Sequence, residues 1–499
     1  DFIDLFAGSG VVGLEALSRG ARSVVCVEKD PRNIAVIKEN AAVLAAGACE
    51  TACCDVLRWL KSAGAGRQAD VVFADPPYVE GRWPDFAEVM ELLAGRKVLR
   101  PGGFFVAEMP DGSAVLVTAD EDGRSPVFRI EVTTGEVSRV TTDDAAYGDV
   151  VVSPDGTKAY AVRSSYLFPA EIVGIDLATG ATAALPGPVE RPAIPGRLEE
   201  VETTAADGTR VRAWLALPET QADGAGHPLL LWIHGGPLGS WNAWTWRWNP
   251  WLLVAQGYAV LLPDPALSTG YGQDFIQRGW GSWGQAPYED LMAITDHVVA
   301  REDIDETRTA AMGGSFGGYM ANWVAGQTDR FKGIVTHASL WALDQFGPTT
   351  DAAFYWQREM TREMGEANSP HRFVEQIVTP MLVIHGDKDY RVPIGEGLRL
   401  WYELLAHSGL PAGDDGSTEH RFLYFPNENH WILSPQHAKV WYQVVSGFLA
   451  EHVLGAEAPE LPVELGRSAP TEKQLQAAAA AEEQQEATGD GVDGEAARG

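Results

Sequence analysis

One serine in this sequence is set among glycines, in Met312-Gly313-Gly314-Ser315-Phe316-Gly317-Gly318. A glycine two residues either side lets a strand turn sharply into a helix and lifts the hydroxyl clear of both, the geometry of a nucleophile elbow. A serine hydroxyl is a weak nucleophile until a base takes its proton and an acid orients that base. Both types follow in the chain. Asp389 is taken as the acid, with Asp387 a competing carboxylate that spacing alone does not separate, and His430, after Asn427-Glu428-Asn429, as the base. Attack on an acyl carbon loads negative charge onto the carbonyl oxygen, so backbone donors are needed as well. The amides of Gly236, in His234-Gly235-Gly236-Pro237, and of Phe316, next to the serine, are assigned that task.

These residues need rigid elements to bring them together. Arg308 to Met312 is predicted as the strand feeding the elbow, with an apolar helix over Tyr319 to Ala325 beneath it. Leu229 to Ile233, Thr379 to Ile384 and Arg421 to Phe425 are predicted as buried strands. Each ends in a loop carrying one of the polar residues above. The chain order Ser, Asp, His is that of α/β-hydrolases. His234 and His385 each close a strand and are expected to hydrogen-bond locally rather than react.

Residues 198–455 resemble the prolyl oligopeptidase family of serine peptidases. The resemblance rests on Trp248-Asn249-Pro250, Gly257-Tyr258, Ser268 to Gly272, Trp283 to Leu291 and Asp387 to Pro393, which look like its dipeptidyl-peptidase V and acylaminoacyl-peptidase branch. It implies hydrolysis of short peptides without a cofactor. Ser315, Asp389 and His430 carry over as the triad, and Gly236 and Phe316 as the oxyanion donors.

The N-terminal part suggests different chemistry. Phe2 to Leu5 reads as a strand running into Phe6-Ala7-Gly8-Ser9-Gly10, a glycine turn that opens a helix and lets a ligand approach the backbone. Glu28 ends a second strand about twenty residues on, placed to bind ribose hydroxyls. Asp55 closes a third strand. A fourth delivers Asp75-Pro76-Pro77-Tyr78, where the acid can accept from an exocyclic amine and the tyrosine can face a flipped base. Residues 1–109 resemble the S-adenosylmethionine-dependent methyltransferases that modify a guanine amine in 16S ribosomal RNA. That implies Asp4, Phe6, Gly8, Gly10, Glu28 and Asp55 around the cofactor, Asp75, Pro76, Pro77 and Tyr78 around the base, and ribosomal RNA as partner. The family's N-terminal segment is missing, and the start Asp1-Phe2-Ile3 falls in mid-strand, so this part is expected to be a fragment of doubtful activity.

From Pro110 the pattern becomes short alternating strands. Asp111-Gly112-Ser113 recurs as Asp155-Gly156-Thr157, and Thr133-Thr134-Gly135 as Ala178-Thr179-Gly180, an offset of about 45 residues that suits a propeller blade. Only about two blades fit before residue 196, too few to close a propeller. The fold class is therefore multidomain α/β: a Rossmann-like fragment (1–109), a partial β-propeller (110–196), an α/β-hydrolase (197–455) and a disordered acidic tail (456–499). Arg191 to Gly196 reads as the linker, and Val211 to Leu215 as the hydrolase's antiparallel edge. Beside a peptidase and a methyltransferase, a third reading is an artificial join, favoured by the passage of Gly103 to Glu108 straight into a mid-blade strand without a linker.

With 499 residues, 45% of them hydrophobic, the chain can bury several cores. Its net charge of −31 disfavours nonspecific binding to nucleic acid or anionic membrane. The cysteines Cys26, Cys49, Cys53 and Cys54 form no metal-ligand pattern and no disulfide framework, so no metal is assigned. No signal or membrane span is seen, and a cytoplasmic location is expected. Eight tryptophans from Trp232 to Trp283 line a substrate pocket or pack a loop layer.

Overall fold

The computed structural model describes residues 1–43, 48–75, 86–108, 114–153, 155–219 and 226–457. It divides into two compact units, Asp1–His227 with Gly236–Ile304, and Pro228–Gly235 with the chain from Asp305.

The first unit opens with β1 (Phe2–Leu5), β2 (Val24–Glu28), β3 (Cys49–Cys53), β4 (Ala69–Ala74) and β5 (Leu99–Glu108). They pair in parallel in the order β3-β2-β1-β4-β5. That is a doubly wound sheet whose order reverses between β1 and β4, the place where such sheets bind ligands. Apolar runs such as Val24 to Val27 arise because helices cover both faces of a parallel sheet.

The sheet does not stop at β5. β6 (Ala114–Thr118), β7 (Val127–Glu131) and β8 (Val137–Arg139) extend it antiparallel, with Ala107 opposite Leu116 and Glu108 opposite Val115. The border expected at residue 109 thus falls inside one eight-stranded sheet. β9 (Ala146–Val152), β10 (Lys158–Ser165), β11 (Phe168–Asp176) and β12 (Thr182–Ala184) form a separate antiparallel four-stranded meander. Alternate residues of both groups, Leu116, Val127, Ala159, Ala161, Val173 and Ile175, meet in one core. The 45-residue repeat is visible in the backbone. Gly135 and Gly180 sit at φ 71° and 73°, and each donates its amide to a carbonyl four residues back, at 2.8 Å. Asp111 to Ser113 lie outside the described residues.

Beyond these run β13 (Gly196–Thr204), β14 (Arg210–Pro218), β15 (His227–Ile233), β16 (Ala259–Asp264), β17 (Ile304–Gly314), β18 (Gly333–His337), β19 (Met381–Gly386) and β20 (Arg421–Phe425). In the first unit β14 lies between β13 and β16, antiparallel to both. The edge expected at Val211 to Leu215 is therefore one strand further out. β13 carries Glu199, Glu200 and Glu202 and takes the rim, whereas every residue of β14 after Arg210 is buried between neighbours. In the second unit the order is β15-β17-β18-β19-β20, with β17 to β20 parallel.

The β6–β7 loop is seated on β14 and the loops beside it. Asp120 accepts from Asn242 Nδ2 (3.0 Å) and Thr269 Oγ1 (2.5 Å), and the Asp122 amide donates to Gly270 O (3.2 Å). Gly123, at φ 71°, lies against the buried Arg212 guanidinium. That group pairs with Glu200 at 2.5 Å and covers the Trp214 ring at 3.9 Å. A Cβ at position 123 would collide with the guanidinium. Gly123→Ala is expected to destabilise the first unit by about 2 kcal/mol through this overlap and the positive φ. Thermal unfolding checks it, and an unchanged midpoint would show that the loop is not seated there.

Candidate functional site

β17, β18, β19 and β20 end at adjacent register positions, with Gly314 opposite His337 and Gly386 opposite Phe425. Ser315, Asp389 and His430 follow three of these ends, so one rim of one parallel sheet collects all three. Ser315 sits at φ 59°, ψ −123°, a region that L residues avoid, and begins the helix Phe316–Gln327. Backbone contacts hold it there. Its amide donates to His337 O at 3.0 Å. A side chain on Gly313 would strike the Gly317 backbone, one on Gly317 would strike Ile233 O, and one on Gly318 would stand 2.7 Å from Ser339 Cβ. The glycines are there because three backbones meet.

His430 is 6% exposed, and its Nδ1 bonds Asp389 Oδ2 at 2.7 Å. Asp389 Oδ1 accepts the amides of Arg391 (3.0 Å) and Val392 (2.9 Å), so its two oxygens are divided between its own loop and the imidazole. Held this way, the carboxylate favours the tautomer with Nδ1 protonated, which leaves Nε2 able to accept a proton. Asp387, the competitor, is exposed and engages Tyr424. Tertiary position separates two acids that spacing could not. Among the described residues no hydrogen bond joins Ser315 to His430, as is common in sites without substrate. Gly235, the residue before Gly236, packs so closely on the elbow that a Cβ there would stand 3.3 Å from Ser315 Cβ. His234 and His385 bond locally, His234 Nδ1 to Gly235 O (2.7 Å) and His385 Nε2 to Val392 O (2.8 Å). Complete burial pushes the His385 pKa down, against the opposing pull of Asp389.

In the first unit, Phe6 (φ 62°), Gly8 (φ 54°) and Gly10 (φ 78°) form the turn at the switch point between β1 and β4. Glu28 closes it, one oxygen accepting the Gly8 amide (2.9 Å) and the other the Asp30 amide (2.8 Å). Asp4 is 2% exposed and accepts the Gly13 amide at 2.9 Å. Burial, and then the nearby charges of Asp75 and Glu28, push its pKa up to about 7, against the opposing pull of that amide. Asp55 caps the helix Val56–Lys61 by accepting the Arg58 amide at 3.1 Å. Pro76, Pro77 and Tyr78 lie outside the described residues.

Residues 244–456 match the model of the prolyl oligopeptidase family. The C-terminal half is thus similar to that family. Residues 1–121 match a second family, described as conserved hypothetical protein 95. A probable dipeptidyl-peptidase 5 of Aspergillus clavatus is 34% identical over 364 residues, covering 69% of this chain and 48% of that protein. The chain thus spans about half the length of the curated relatives it matches. Among solved structures, acylaminoacyl peptidase of Pyrococcus horikoshii aligns with TM-score 0.61 at 20% identity, over 73% of this chain and 57% of that one. A puromycin-hydrolysing peptidase of Mycobacterium tuberculosis aligns with TM-score 0.62 at 22% identity, over 71% and 54%. At such identity these neighbours speak for the fold alone.

Within the C-terminal half, a buried carboxylate supports the rim without having been singled out from sequence. Glu396, fully buried, accepts the amides of Trp341 (2.7 Å) and Ala342 (2.8 Å) in the loop after β18, and burial raises its pKa to about 7. Nothing in the spacing marks it, because its partners are backbone amides more than fifty residues away. The tryptophan cluster divides. Trp232, Trp241, Trp251 and Trp283 are buried packing residues, with Trp232 stacked on Trp441, while Trp246 is 67% exposed beside Trp244. No helix among the described residues is long and apolar enough to cross a membrane.

The Asp4 environment sets a pH dependence. Folded, this carboxyl keeps its proton to about pH 7, and unfolded it ionises near 3.8. Between those values the folded state holds more protons, so the local stability of β1 falls as pH rises from about 4 to 7. Asp4→Asn is expected to flatten that slope and to slow hydrogen exchange of the β1 amides at pH 8. Faster exchange at pH 5 than at pH 8 in the unsubstituted chain, after correction for intrinsic rates, would reverse the sign and refute it.

Proposed function

We propose that the second unit carries a serine peptidase site that cleaves short peptides. The observation that carries this reading is the 2.7 Å Asp389–His430 pair on the rim that also bears Ser315 at φ 59°. Ser315 Oγ attacks the scissile carbonyl as His430 Nε2 takes its proton, and Asp389 steadies the imidazolium. The amide of Phe316, at the start of its helix, holds the oxyanion. His430 then returns the proton to the leaving amine, and water, activated by the same ring, releases the acyl group and restores the serine. The relatives named as dipeptidyl-peptidases and the neighbours named as acylaminoacyl and puromycin-hydrolysing peptidases support a dipeptidyl or acylaminoacyl substrate. No cofactor enters this chemistry. The meander of β9 to β12 is read as one propeller blade and β6 to β8 as part of another, too few to close a propeller.

A second reading concerns the first unit, where three carboxylates, Asp4, Glu28 and Asp75, gather beside an open glycine turn. That arrangement fits S-adenosylmethionine. Glu28 and Asp75 favour its cationic centre, Glu28 can still accept from ribose hydroxyls, and a Cβ at Gly8 would meet nothing nearer than 4.0 Å, so a ligand can approach the backbone. Bound there, the cofactor would supply a methyl group, with a guanine amine of ribosomal RNA as acceptor.

Two measurements test these readings. Ser315→Ala is expected to abolish hydrolysis of a chromogenic dipeptidyl substrate, Asp389→Asn to lower kcat on the order of 10⁴-fold, and Asp387→Asn to change it less than about threefold. Retained turnover in the serine variant would remove the assignment. Isotope-labelled S-adenosylmethionine is expected to bind the full chain saturably and to be lost with Glu28→Ala. Absence of saturable binding to the unsubstituted chain would leave the first unit without its cofactor role.

A further inference from the structure

The loop carrying His430 has a strained backbone. Ile432 adopts φ 44°, which a β-branched residue avoids, and its side chain is 4% exposed. Such a conformation persists only where neighbouring contacts over-determine it. Among the described residues Asn429 Oδ1 accepts the Trp431 amide at 2.9 Å on one side of Ile432, and Glu428 holds the other. Its side chain is 7% exposed. Oε2 accepts the Leu433 amide at 2.8 Å, and Oε1 accepts the Ser434 amide at 3.2 Å and lies 2.5 Å from His437 Nδ1. Those amides immediately precede the helix Pro435–Leu454, whose positive end favours a carboxylate. The main chain of the same residue faces the other way. Glu428 O accepts the Lys388 amide at 2.9 Å, and Gly386 is a glycine because a Cβ there would stand 2.6 Å from that oxygen. One residue therefore ties the loop of the base to the loop of the acid and also grips the loop's far end.

We infer that Glu428 is a positioning residue for the reaction, setting His430 against Asp389 by closing the 428–434 loop. The inference rests on the peptidase reading but concerns a geometry that can be observed without turnover. Removing the carboxylate frees the two amides and lets Ile432 relax, and the imidazole then swings away from Asp389. Displacement of a base by about 1 Å is enough to cost on the order of a hundredfold in rate.

The test uses the full chain with Glu428→Ala and Glu428→Gln. The first readout is the low-field proton resonance of His430 Nδ1–H held by Asp389, identified by its loss in His430→Ala. The second is kcat and KM on the dipeptidyl substrate. Glu428→Ala is expected to abolish the resonance and lower kcat by about 10- to 100-fold with KM changed less than about threefold. Glu428→Gln, whose amide oxygen still accepts from the loop, should keep the resonance and most of kcat. A resonance and kcat that survive in Glu428→Ala overturn the inference, as does a change confined to KM or a glutamine variant as impaired as the alanine one. Should Glu428→Ala fail to fold, His437→Ala removes only the outer contact. A broadened resonance then supports the inference, and an unchanged one opposes it. If the resonance depends on Glu428 in a chain that cleaves no peptide, the peptidase reading falls and the positioning role stands.

Discussion

A serine at φ 59° survives in this chain only because side chains are missing where three backbones meet. Gly313, Gly317 and Gly318 let the end of β17, the start of the helix Phe316–Gln327 and the ends of β15 and β18 pack against one another with no Cβ between them. Close packing leaves Ser315 one position, and the strain at that residue is offset by contacts that any larger side chain would break. The rest of the rim is arranged around that fixed point. Strand register sets where the loops of Asp389 and His430 leave the sheet, and hydrogen bonds within those loops set where their side chains end.

The second unit handles buried negative charge in one recurring way. Asp389, Glu396 and Glu428 are each buried, and each accepts two backbone amides, from loops that must keep a particular shape. Amides that donate to a buried carboxyl group offset part of the cost of burying it, and the donating loops are held in one shape. Asp389 uses its remaining oxygen on His430, and Glu428 uses one on His437.

The first unit joins two kinds of sheet by continuing one into the other. β5 ends the parallel sheet and offers a free edge, and β6 pairs to that edge antiparallel, so the short strands that follow begin from an edge already filled. Across the same sheet, at the switch between β1 and β4, Glu28 pulls the glycine turn closed while Asp4 is buried deeply enough to hold a proton near neutrality.

Much of this was legible in the residues themselves. The Gly-x-Ser-x-Gly run fixes an elbow because only glycine tolerates the contacts, and the order of Ser315, Asp389 and His430 on loops after apolar strands implies one parallel sheet. The glycine turn at residues 6–10 and the acid at Glu28 declare a doubly wound start for the same local reasons, as the matching turns at Gly135 and Gly180 declare a repeat. Tertiary structure decided what local pattern leaves degenerate. It chose Asp389 over Asp387 by burying one and exposing the other. It placed β13 at the rim expected for Val211 to Leu215, and carried the parallel sheet through the expected border into β6. It also gave Glu396 and Glu428 their partners. Periodicity and motif report on contacts within a few residues, whereas burial, sheet-edge pairing and side-chain bonds to distant amides depend on which segments meet in space.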